Sequence, residues 1–250
     1  MWRFFKKKQL VGDKKYYPEP VPSHIAIIMD GNARWAKSKN LPLQIGHKTG
    51  AENIRQIAEG CIELGVKYLT VYAFSSENWD RPQDEVNYLM SLLDDYLSKE
   101  TKPLTEKGIK VLVSGDFKRL SDSTRSKISY ITNLTKDNKS LLLNIAFSYG
   151  SRHEIVDAVK RISSQVSSGV IDVDSIDEDL ISANLYSSNI PDPDLLIRTA
   201  GDFRVSNFLL WQIAYCELYF TKTYWPDFTT KDLAIAIQDF NARDRRYGKR

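Results

Sequence analysis

The 250-residue sequence has little of several residues and patterns that mark large classes of proteins. It contains only two cysteines, Cys61 and Cys216, and both lie in apolar stretches, which predicts two reduced thiols rather than a disulfide. No run of 18 apolar residues occurs, so no transmembrane helix is predicted. The N-terminus lacks the apolar segment and cleavage site of a signal peptide, which favours a cytoplasmic protein.

Histidine is also scarce, and the three histidines at positions 24, 47 and 153 are far apart. The segment "HEIVD" at 153–157 lacks the second histidine of a zinc-protease helix, and no Gly-X-Ser-X-Gly nucleophile elbow occurs. The segment "GHKTG" at 46–50 has its lysine and threonine before the second glycine, whereas a P-loop has them after it. These absences argue against zinc hydrolases, serine hydrolases and P-loop proteins.

The net charge of +3 is small, so the charge balance predicts no nucleic-acid partner. The first 20 residues nevertheless carry five lysines beside one tryptophan and two phenylalanines. We interpret residues 1–20 as a basic, disordered tail and residues 21–250 as one folded domain. Peripheral contact of this tail with an anionic membrane surface, at the inner membrane face, is the alternative left open.

Apolar runs bounded by turn residues recur along the chain as "HIAIIM", "YLTVYAF", "IKVLVSG", "LLLNIAF" and "DLLIRT". Stretches with helical spacing lie between them. This alternation predicts an α/β fold, a single domain with a central, mostly parallel sheet flanked by helices.

Helices are expected after Gly46, Pro82, Ser151 and Thr230, where apolar residues recur at helical spacing. The loop "SSGVIDVDSIDED" is expected to run into a further helix with an aspartate or serine cap. The helix after Ser151 is predicted to bury a stripe of Ile155, Val156, Val159 and Ile162.

The helix after Pro82 carries a stripe rich in leucine and methionine, comprising Val86, Leu89, Met90, Leu93 and Leu97. Core packing explains such a stripe, and so does the lining of a cavity for a long hydrocarbon. The residues alone leave both interpretations open. The nearby pair Asp94 and Asp95 is interpreted as a solvated face.

A group of polar residues follows the first predicted strand directly. Asp30, Gly31 and Arg34 lie where ligands bind in open parallel sheets, outside the carboxyl ends of the strands. Glycine lets backbone amides approach an anion, arginine offers a planar fork for phosphate oxygens, and aspartate is suited to a divalent metal. An aspartate that caps a turn beside a surface arginine is the structural alternative.

Two further polar groups follow later strands. The segment "AFSSENWDRP" at 73–82 concentrates hydrogen-bonding side chains, and the segment at 195–220 places Arg198, Arg204 and Ser206 after another strand. Glu217 enters the next apolar stretch, where a carboxylate is costly to bury unless it is paired or bound to metal. Together the three strand ends predict a substrate that carries phosphate charge, with a metal ion.

Read together, "MDGNARWA", "GHKTG", "AFSSENWDRP", "IRTAGDFRVSNFLLWQIAYCELYF", "WPDF" and "ARDRRYG" closely resemble the cis-prenyltransferase family of the bacterial undecaprenyl diphosphate synthase type. The match runs from about His24 to Gly248 in the family's order. It implies a homodimer with a deep hydrophobic tunnel in each subunit. It also implies Mg²⁺-dependent, sequential condensation of isopentenyl diphosphate with farnesyl diphosphate, giving a long cis product that carries cell-wall glycans.

The resemblance also implies roles for individual residues. Asp30 corresponds to the essential acid that holds Mg²⁺, and Glu217 to a second magnesium ligand that involves the neighbouring subunit. Asn78 is the family's proton acceptor, although a neutral amide is a weak base and Asp30 or the departing diphosphate is chemically easier. The implied substrate-binding residues are Gly31, Asn32, Ala33, Arg34, Trp35, His47, Ser75, Ser76, Glu77, Trp79, Arg81, Arg198, Arg204, Val205 and Ser206.

Some positions depart from the family pattern. Leu43 stands where an arginine normally helps to bind the allylic diphosphate, and Lys37, Lys39 or Lys48 are the candidates to replace it. Phe203 stands where some relatives have a histidine near the metal. Leu141, at the start of the fourth predicted strand, is a candidate for the tunnel floor and equally an ordinary core leucine.

Two alternatives to this function are retained. One is a cis-prenyl synthase with another product length, of the short-chain or dehydrodolichyl type. The other is a noncatalytic binding subunit of the same family, against which the presence of Asp30, Arg34, Arg198, Arg204 and Glu217 argues.

Overall fold

A computed structural model describes residues 20–243 of the chain. Within them, one sheet contains β1 (His24–Ile28), β2 (Tyr68–Ser75), β3 (Ile109–Ser114), β4 (Leu141–Tyr149), β5 (Leu195–Arg198) and β6 (Glu217–Phe220). The accompanying helices are α1 (Asn32–Ser38), α2 (Leu43–Leu64), α3 (Gln83–Glu106), α4 (Asp122–Leu134), α5 (Ser151–Ser167), α6 (Glu178–Ala183) and α7 (Thr230–Asn241). None of these helices is long and apolar enough to cross a membrane. The predicted basic tail falls almost entirely outside the described residues.

The strands run parallel in the order β3-β4-β2-β1-β5-β6. Because they all point the same way, their carboxyl ends meet at one edge of the sheet. Ile28, the last residue of β1, is in register with Tyr72 of β2 and Arg198 of β5. The segments that follow these three strands are therefore neighbours in space although they are distant in sequence.

Both faces of the sheet are buried, which explains the continuous apolar runs in its strands. On β1, Ile25 and Ile27 point into the larger core, which α2, α3, α4 and α7 cover. Ala26 and Ile28 point into a smaller core on the other face, where Phe208 packs.

The predicted fold class is confirmed, with five of the strands and most helices at the expected places. The prediction did not include α4 or β6. β6 lies in the apolar stretch that Glu217 enters, but it has only four residues, of which Leu218 is exposed and the other three are partly buried.

The helix predicted after Gly46 begins earlier, at Leu43, so the "GHKTG" segment is helical. A Cβ at Gly46 would lie 2.2 Å from the backbone oxygen of Asn32, and one at Gly50 would lie 2.3 Å from its Oδ1. These glycines allow α2 to pack directly against the start of α1, and this close approach is what they contribute.

The apolar stripe predicted on the helix after Ser151 is wrong in part. Ile162 is buried, but Val156 and Val159 are 48% and 52% exposed. The buried face of α5 instead carries Ala158 and the carboxylate of Glu154.

His24, at the start of β1, is a buried structural residue with 3% exposure. Its Nδ1 lies 2.6 Å from the carbonyl oxygen of Pro191, and its Nε2 lies 2.8 Å from Thr70 Oγ1. A neutral ring satisfies both contacts by donating to Pro191 and accepting from Thr70. Burial, which outweighs the opposing effects of the Pro191 hydrogen bond and the Asp194 charge, lowers the pKa of His24 from 6.5 to about 4.

This lowered pKa predicts a loss of stability in acid. Between pH 6.5 and 4 the unfolded chain binds a proton at His24 and the folded chain does not, so folding weakens as the pH falls. The expected loss from this group is about 3 kcal/mol at pH 4. Urea unfolding of the wild type and His24→Asn at neutral pH and at pH 4 measures it, because the variant lacks this component. Equal losses in the two proteins would contradict the assignment.

Candidate functional site

The candidate site begins where β1 ends. Gly31 has a φ of +105°, in the left-handed region that favours glycine. A Cβ at this position would lie 2.8 Å from both Ala200 Cβ and Tyr224 Cδ1. The chain can therefore turn sharply here and start α1 immediately, which leaves Asp30 at the carboxyl edge of the sheet.

Asp30 and Arg198 form an ion pair across the ends of β1 and β5. The guanidinium of Arg198 donates to Asp30 Oδ2 over 2.8 Å, and its side chain is only 5% exposed. Its other terminal nitrogen donates to Ser206 Oγ at 2.7 Å and to the carbonyl oxygen of Arg204 at 2.6 Å. The Nε of Arg198 is buried with no hydrogen-bond partner within the described structure. Arg198 is thus a fixed positive charge at the base of the site, with a donor still available.

The charge state of Asp30 follows from these neighbours. Partial burial alone raises the pKa of the carboxyl, but the hydrogen bond and charge of Arg198, aided by Arg34, outweigh it and hold the pKa below its ordinary value. Asp30 is therefore a carboxylate near neutral pH. As long as both arginines contact it, it is a poor proton acceptor.

Further arginines surround this pair. Arg34 lies 3.1 Å from Asp30 Oδ1 and 2.9 Å from Asp202 Oδ2, and it also donates to the carbonyl oxygen of Ala200. Arg204, 61% exposed, contacts the same Asp202 oxygen at 3.0 Å. Asp202 therefore holds two guanidinium groups beside the strand ends.

The polar segment after β2 forms a 3-10 turn, Ser76–Asp80, that faces the strand ends. The Oδ1 of Asn78 accepts a hydrogen bond from the backbone N–H of Ser75 at 3.0 Å, so this amide caps the turn. Trp79 points inward, donates to Ser148 Oγ and stacks edge-on against Phe74. The side chains of Asn78 and Trp79 therefore both stabilise the turn.

The strand ends and the turn enclose a cleft of about 600 Å³. Its lining includes three arginines and two acidic side chains, a net positive charge that favours an anionic ligand. Ten of the predicted site residues line it: Asp30, Asn32, His47, Ser75, Glu77, Asn78, Arg81, Arg198, Arg204 and Ser206. Asn207 and Tyr72 also line it and were not singled out from the sequence.

An apolar cavity of about 80 Å³ adjoins the polar cleft and shares Met29, Asn32, His47, Ala73 and Leu89 with it. It lies between α2, α3 and the sheet. Leu89 and Leu93 of the predicted stripe on α3 line it, together with Leu92, which the stripe did not include, and the other lining residues include Phe74, Tyr96, Phe147 and Trp225. This supports the cavity interpretation of the stripe.

Tyr96 lines the cavity seven residues beyond Leu89 on α3, and its hydroxyl is buried and has no hydrogen-bond partner among the described residues. Leu141 does not line the cavity and is 2% exposed within the main core. It lies four residues before Ile145 on β4, on the same face, and so beyond the end of the described cavity.

His47 lies where the cleft and the cavity meet. Its Nε2 is buried without a hydrogen bond in the described structure, and the nearest carboxylate oxygen, on Glu85, is 3.7 Å away. Burial, followed by the charge of Arg81, lowers the pKa of His47 despite the opposing charge of Glu85. A neutral imidazole with an unused ring nitrogen therefore faces the site.

The remaining predicted residues lie around the cleft without lining it. Seven of them support its walls, namely Gly31, Ala33, Arg34, Trp35, Ser76, Trp79 and Val205. Glu217 is different because it opens β6, opposite Leu195, whereas Arg198 pairs with Phe220 three residues further on. Glu217 therefore lies towards the amino end of the strand, away from Asp30, and is paired with Arg243 at 2.7 Å.

The position at which an arginine is usual does not contribute a charge. Leu43 is the first residue of α2 and is not among the residues that line the cleft. Lys39 contacts Asp227 at 3.3 Å and covers the ring of Trp35, while Lys48 lies 4.0 Å from Glu52. The described cleft obtains its positive charge from Arg81, Arg198 and Arg204 instead.

The residues of the cleft fit a magnesium ion that is held partly by substrate. Asp30 provides a partly exposed carboxylate, and the hydroxyls of Ser75 and Ser206 line the same cleft. Among residues 20–243 no group of three or more histidine, cysteine or acidic side chains is placed to hold a metal. Mg²⁺ commonly uses one or two carboxylates together with substrate phosphates and water, so this donor set is sufficient.

Comparison with known sequences places residues 28–248 within the model of a family described as putative undecaprenyl diphosphate synthase. An isoprenyl transferase of Clostridium perfringens is 47% identical over 230 residues, covering 92% of this chain and 91% of the relative. An isoprenyl transferase of Fusobacterium nucleatum is 50% identical over 228 residues, covering 91% and 96%.

Solved structures give the same result. Lavandulyl diphosphate synthase from Lavandula x intermedia, determined in complex with dimethylallyl diphosphate, has a TM-score of 0.90 and 38% identity over 93% of this chain and 100% of that chain. A probable undecaprenyl diphosphate synthase from Campylobacter jejuni has a TM-score of 0.76 and 33% identity over 91% and 99%.

The site geometry predicts that Arg198 provides most of the fixed attraction for a diphosphate. We expect Arg198→Ala to weaken binding of inorganic diphosphate, measured by titration calorimetry, by roughly 10- to 100-fold. Arg198→Lys keeps the charge without the planar fork, so its affinity for diphosphate should lie between those of the wild type and Arg198→Ala. Arg125→Ala, which removes an exposed partner of Asp122 on α4, is the matched control. Unchanged affinity in Arg198→Ala would contradict the assignment.

Proposed function

Because the chain belongs to the undecaprenyl diphosphate synthase family of cis-prenyltransferases, we propose that it condenses isopentenyl diphosphate repeatedly with farnesyl diphosphate to a long polyprenyl diphosphate. The chain is a prenyltransferase that performs cis-prenyl chain elongation, with an allylic and an isopentenyl diphosphate as substrates. The proposal adds farnesyl diphosphate as the starter, an undecaprenyl-type product and its use as a carrier lipid for cell-wall glycans. The single observation that supports it best is the adjoining polar cleft and apolar cavity.

The cleft suits a reaction in which an allylic carbon–oxygen bond breaks. Negative charge then develops on the departing diphosphate and positive charge on the hydrocarbon. Fixed donors stabilise the former without reorganising, and Arg198 and Arg34 are such donors beside Asp30. We place the allylic diphosphate near Asp30 and the backbone of Gly31 to Arg34, and the isopentenyl diphosphate near Arg198, Arg204 and Ser206.

Asp30 is proposed to hold Mg²⁺, which when bound supplies positive charge to the diphosphate oxygens. Asp30 is suited to this because its pKa is held below the ordinary value and it is ionised at neutral pH. The role of proton acceptor fits Asn78 poorly. Its amide oxygen already accepts the Ser75 N–H, and a neutral amide is a weak base. The departing diphosphate, held within the same cleft, is the acceptor that we propose.

The apolar cavity is proposed to receive the hydrocarbon. Each buried CH₂ group contributes about 0.8 kcal/mol, so an apolar passage stabilises the chain as it lengthens. A volume of about 80 Å³ is too small for a long product, and α3 must therefore move away from α2 as the chain grows. The phenol of Tyr96 is the first side chain that a lengthening chain would have to pass.

A homodimer is proposed because Glu217 is too far along β6 to reach Asp30 within one chain. It can serve as a second magnesium ligand only for a neighbouring subunit. The edge strand β6 and the segment before it expose apolar side chains, with Tyr215 at 80% and Leu218 at 37% exposure, as a subunit contact would require.

The proposed activity is tested with purified protein, Mg²⁺, farnesyl diphosphate and labelled isopentenyl diphosphate, with product length read by chromatography. Asp30→Ala and Asp30→Asn should each lower kcat on the order of 1,000-fold, since the carboxylate proposed to hold Mg²⁺ against the diphosphate is lost. Asp137→Ala, at an exposed acid, is the control. Wild-type protein that binds farnesyl diphosphate without elongating it would support the noncatalytic alternative, and short products would support the other synthases.

The proposed dimer predicts complementation between two inactive variants. Co-expressed Asp30→Ala and Glu217→Ala chains with different tags form mixed dimers in which one of the two sites has both carboxylates. Each variant alone should be nearly inactive, and the isolated mixed dimer should recover about half of the wild-type kcat. If the mixed dimer is as inactive as its parents, Glu217 does not act across the interface.

A further inference from the structure

Asn207 occupies an unusual position between three segments of the cleft. Its backbone φ is +59° and that of Ser206 before it is +48°, both in the left-handed region. Asparagine adopts this conformation more readily than most residues, because its short polar side chain can bond locally. The side chain lines the polar cleft. It has no role in the residue assignments above.

Every polar group of the Asn207 side chain is used, and each reaches a different part of the chain. Its Nδ2 donates to Glu77 Oε1 at 2.7 Å, and its Oδ1 accepts from the backbone N–H of Arg152 at 2.9 Å. Its backbone oxygen accepts from the N–H of Ser151, also at 2.9 Å. Asn207 therefore joins the 3-10 turn after β2 to the first turn of α5.

The third connection is through the chain itself. Ser206, the preceding residue, accepts a hydrogen bond from Arg198 through its Oγ, and its carbonyl oxygen lies 3.4 Å from the Tyr72 hydroxyl. A shift of Asn207 therefore displaces the group that orients the buried guanidinium. The turn that covers the cleft and the arginine at its base are linked through two consecutive residues.

The junction has no room to adjust. A Cβ at Gly150 would lie 2.2 Å from Ser76 Oγ and 2.8 Å from Asn207 Nδ2. The turn, the start of α5 and Asn207 thus meet in van der Waals contact around this glycine. The Glu77 carboxylate adds a charged acceptor, and although its slight burial raises its pKa, the Asn207 hydrogen bond contributes most to a net lowering.

We propose that Asn207 is a positioning residue that couples the position of the Ser76–Asp80 turn over the cleft to the isopentenyl diphosphate site formed by Arg198, Arg204 and Ser206. The identity of the substrate in this inference rests on the proposed function. When the Asn207–Glu77 bond breaks, the turn leaves the cleft and Ser206 loses its fixed position. The fraction of molecules able to bind falls, and the apparent affinity falls with it.

The hydrogen bond from Asn207 to Glu77 can be reversed in direction by exchanging its donor and its acceptor, which provides a reciprocal test. Asn207→Asp keeps the left-handed backbone and the acceptor for Arg152, but places one carboxylate against another. Glu77→Gln keeps an acceptor for Asn207. In the double variant Asn207→Asp/Glu77→Gln, the glutamine amide donates to the new aspartate, which restores a charge-assisted hydrogen bond in the opposite direction.

Two measurements are made on each variant. The first is hydrogen–deuterium exchange of residues 76–80 without substrates, and the second is the KM for each diphosphate. We expect Asn207→Asp to speed exchange and to raise the KM for isopentenyl diphosphate, each roughly 10-fold or more, with a smaller rise for the allylic substrate. Glu77→Gln alters a residue of the cleft itself and therefore serves as the reference: the double variant should return to the exchange rate and KM of Glu77→Gln. Asn133→Asp on α4 makes the same charge change at an exposed position as a control.

The outcomes separate this proposal from the proposed function. Faster exchange in Asn207→Asp that the double variant reverses supports the link even if no prenyl transfer is detected. An active wild type with unaltered exchange and KM in Asn207→Asp would overturn it. So would an equal loss in Asn207→Asp and the double variant, since a purely structural defect at position 207 is not rescued by changing Glu77.

Discussion

The ion pair between Asp30 and Arg198 is the interaction on which the site depends. A guanidinium with 5% exposure is costly to bury, and the carboxylate beside it at 2.8 Å offsets that cost. The pair forms because β1 and β5 are parallel neighbours that end in register. The same pairing lowers the pKa of Asp30 and leaves one nitrogen of Arg198 without a partner. The free protein is therefore poised to exchange contacts within the pair for contacts to an incoming anion.

A second constraint is the position of this charged cleft beside an apolar cavity. Met29, Ala73 and Leu89 belong to both, so a ligand with an anionic head and a hydrocarbon tail contacts each part at once. His47 lies at the boundary as a neutral ring, since burial lowers its pKa. In the proposed binding mode the tail contacts α2 and α3, and the head contacts the strand ends. The tail can thus lengthen in one place while the diphosphates at the strand ends are exchanged in each condensation.

The sequence predicted the parts of the fold and site that follow from the geometry of parallel strands. Asp30 and Arg198 follow strong apolar runs, so their convergence at one edge was foreseeable. β6 was missed because it is only four residues long and an apolar stretch of that length does not identify a strand.

The contribution of Asn207 was not foreseeable in the same way. It depends on the left-handed backbone and on contacts with Glu77 and Arg152 that are distant in sequence. The capping role of Asn78 could not be predicted either, because the sequence does not distinguish an amide that caps a turn from one that contacts a substrate. The leucine stripe of α3 was also ambiguous, because core packing and the lining of a cavity both explain an apolar helix face. The aromatic residues that complete its wall, Phe147 and Trp225, come from other elements.

The most direct test of the central claim is a crystal structure of the protein with Mg²⁺ and the unreactive analogue farnesyl thiodiphosphate. The account predicts the diphosphate at the carboxyl ends of β1 and β5, with Asp30 beside the metal and the farnesyl chain between α2 and α3, directed towards Tyr96. A diphosphate bound elsewhere, or a farnesyl chain lying on the surface with the cavity closed, would contradict it.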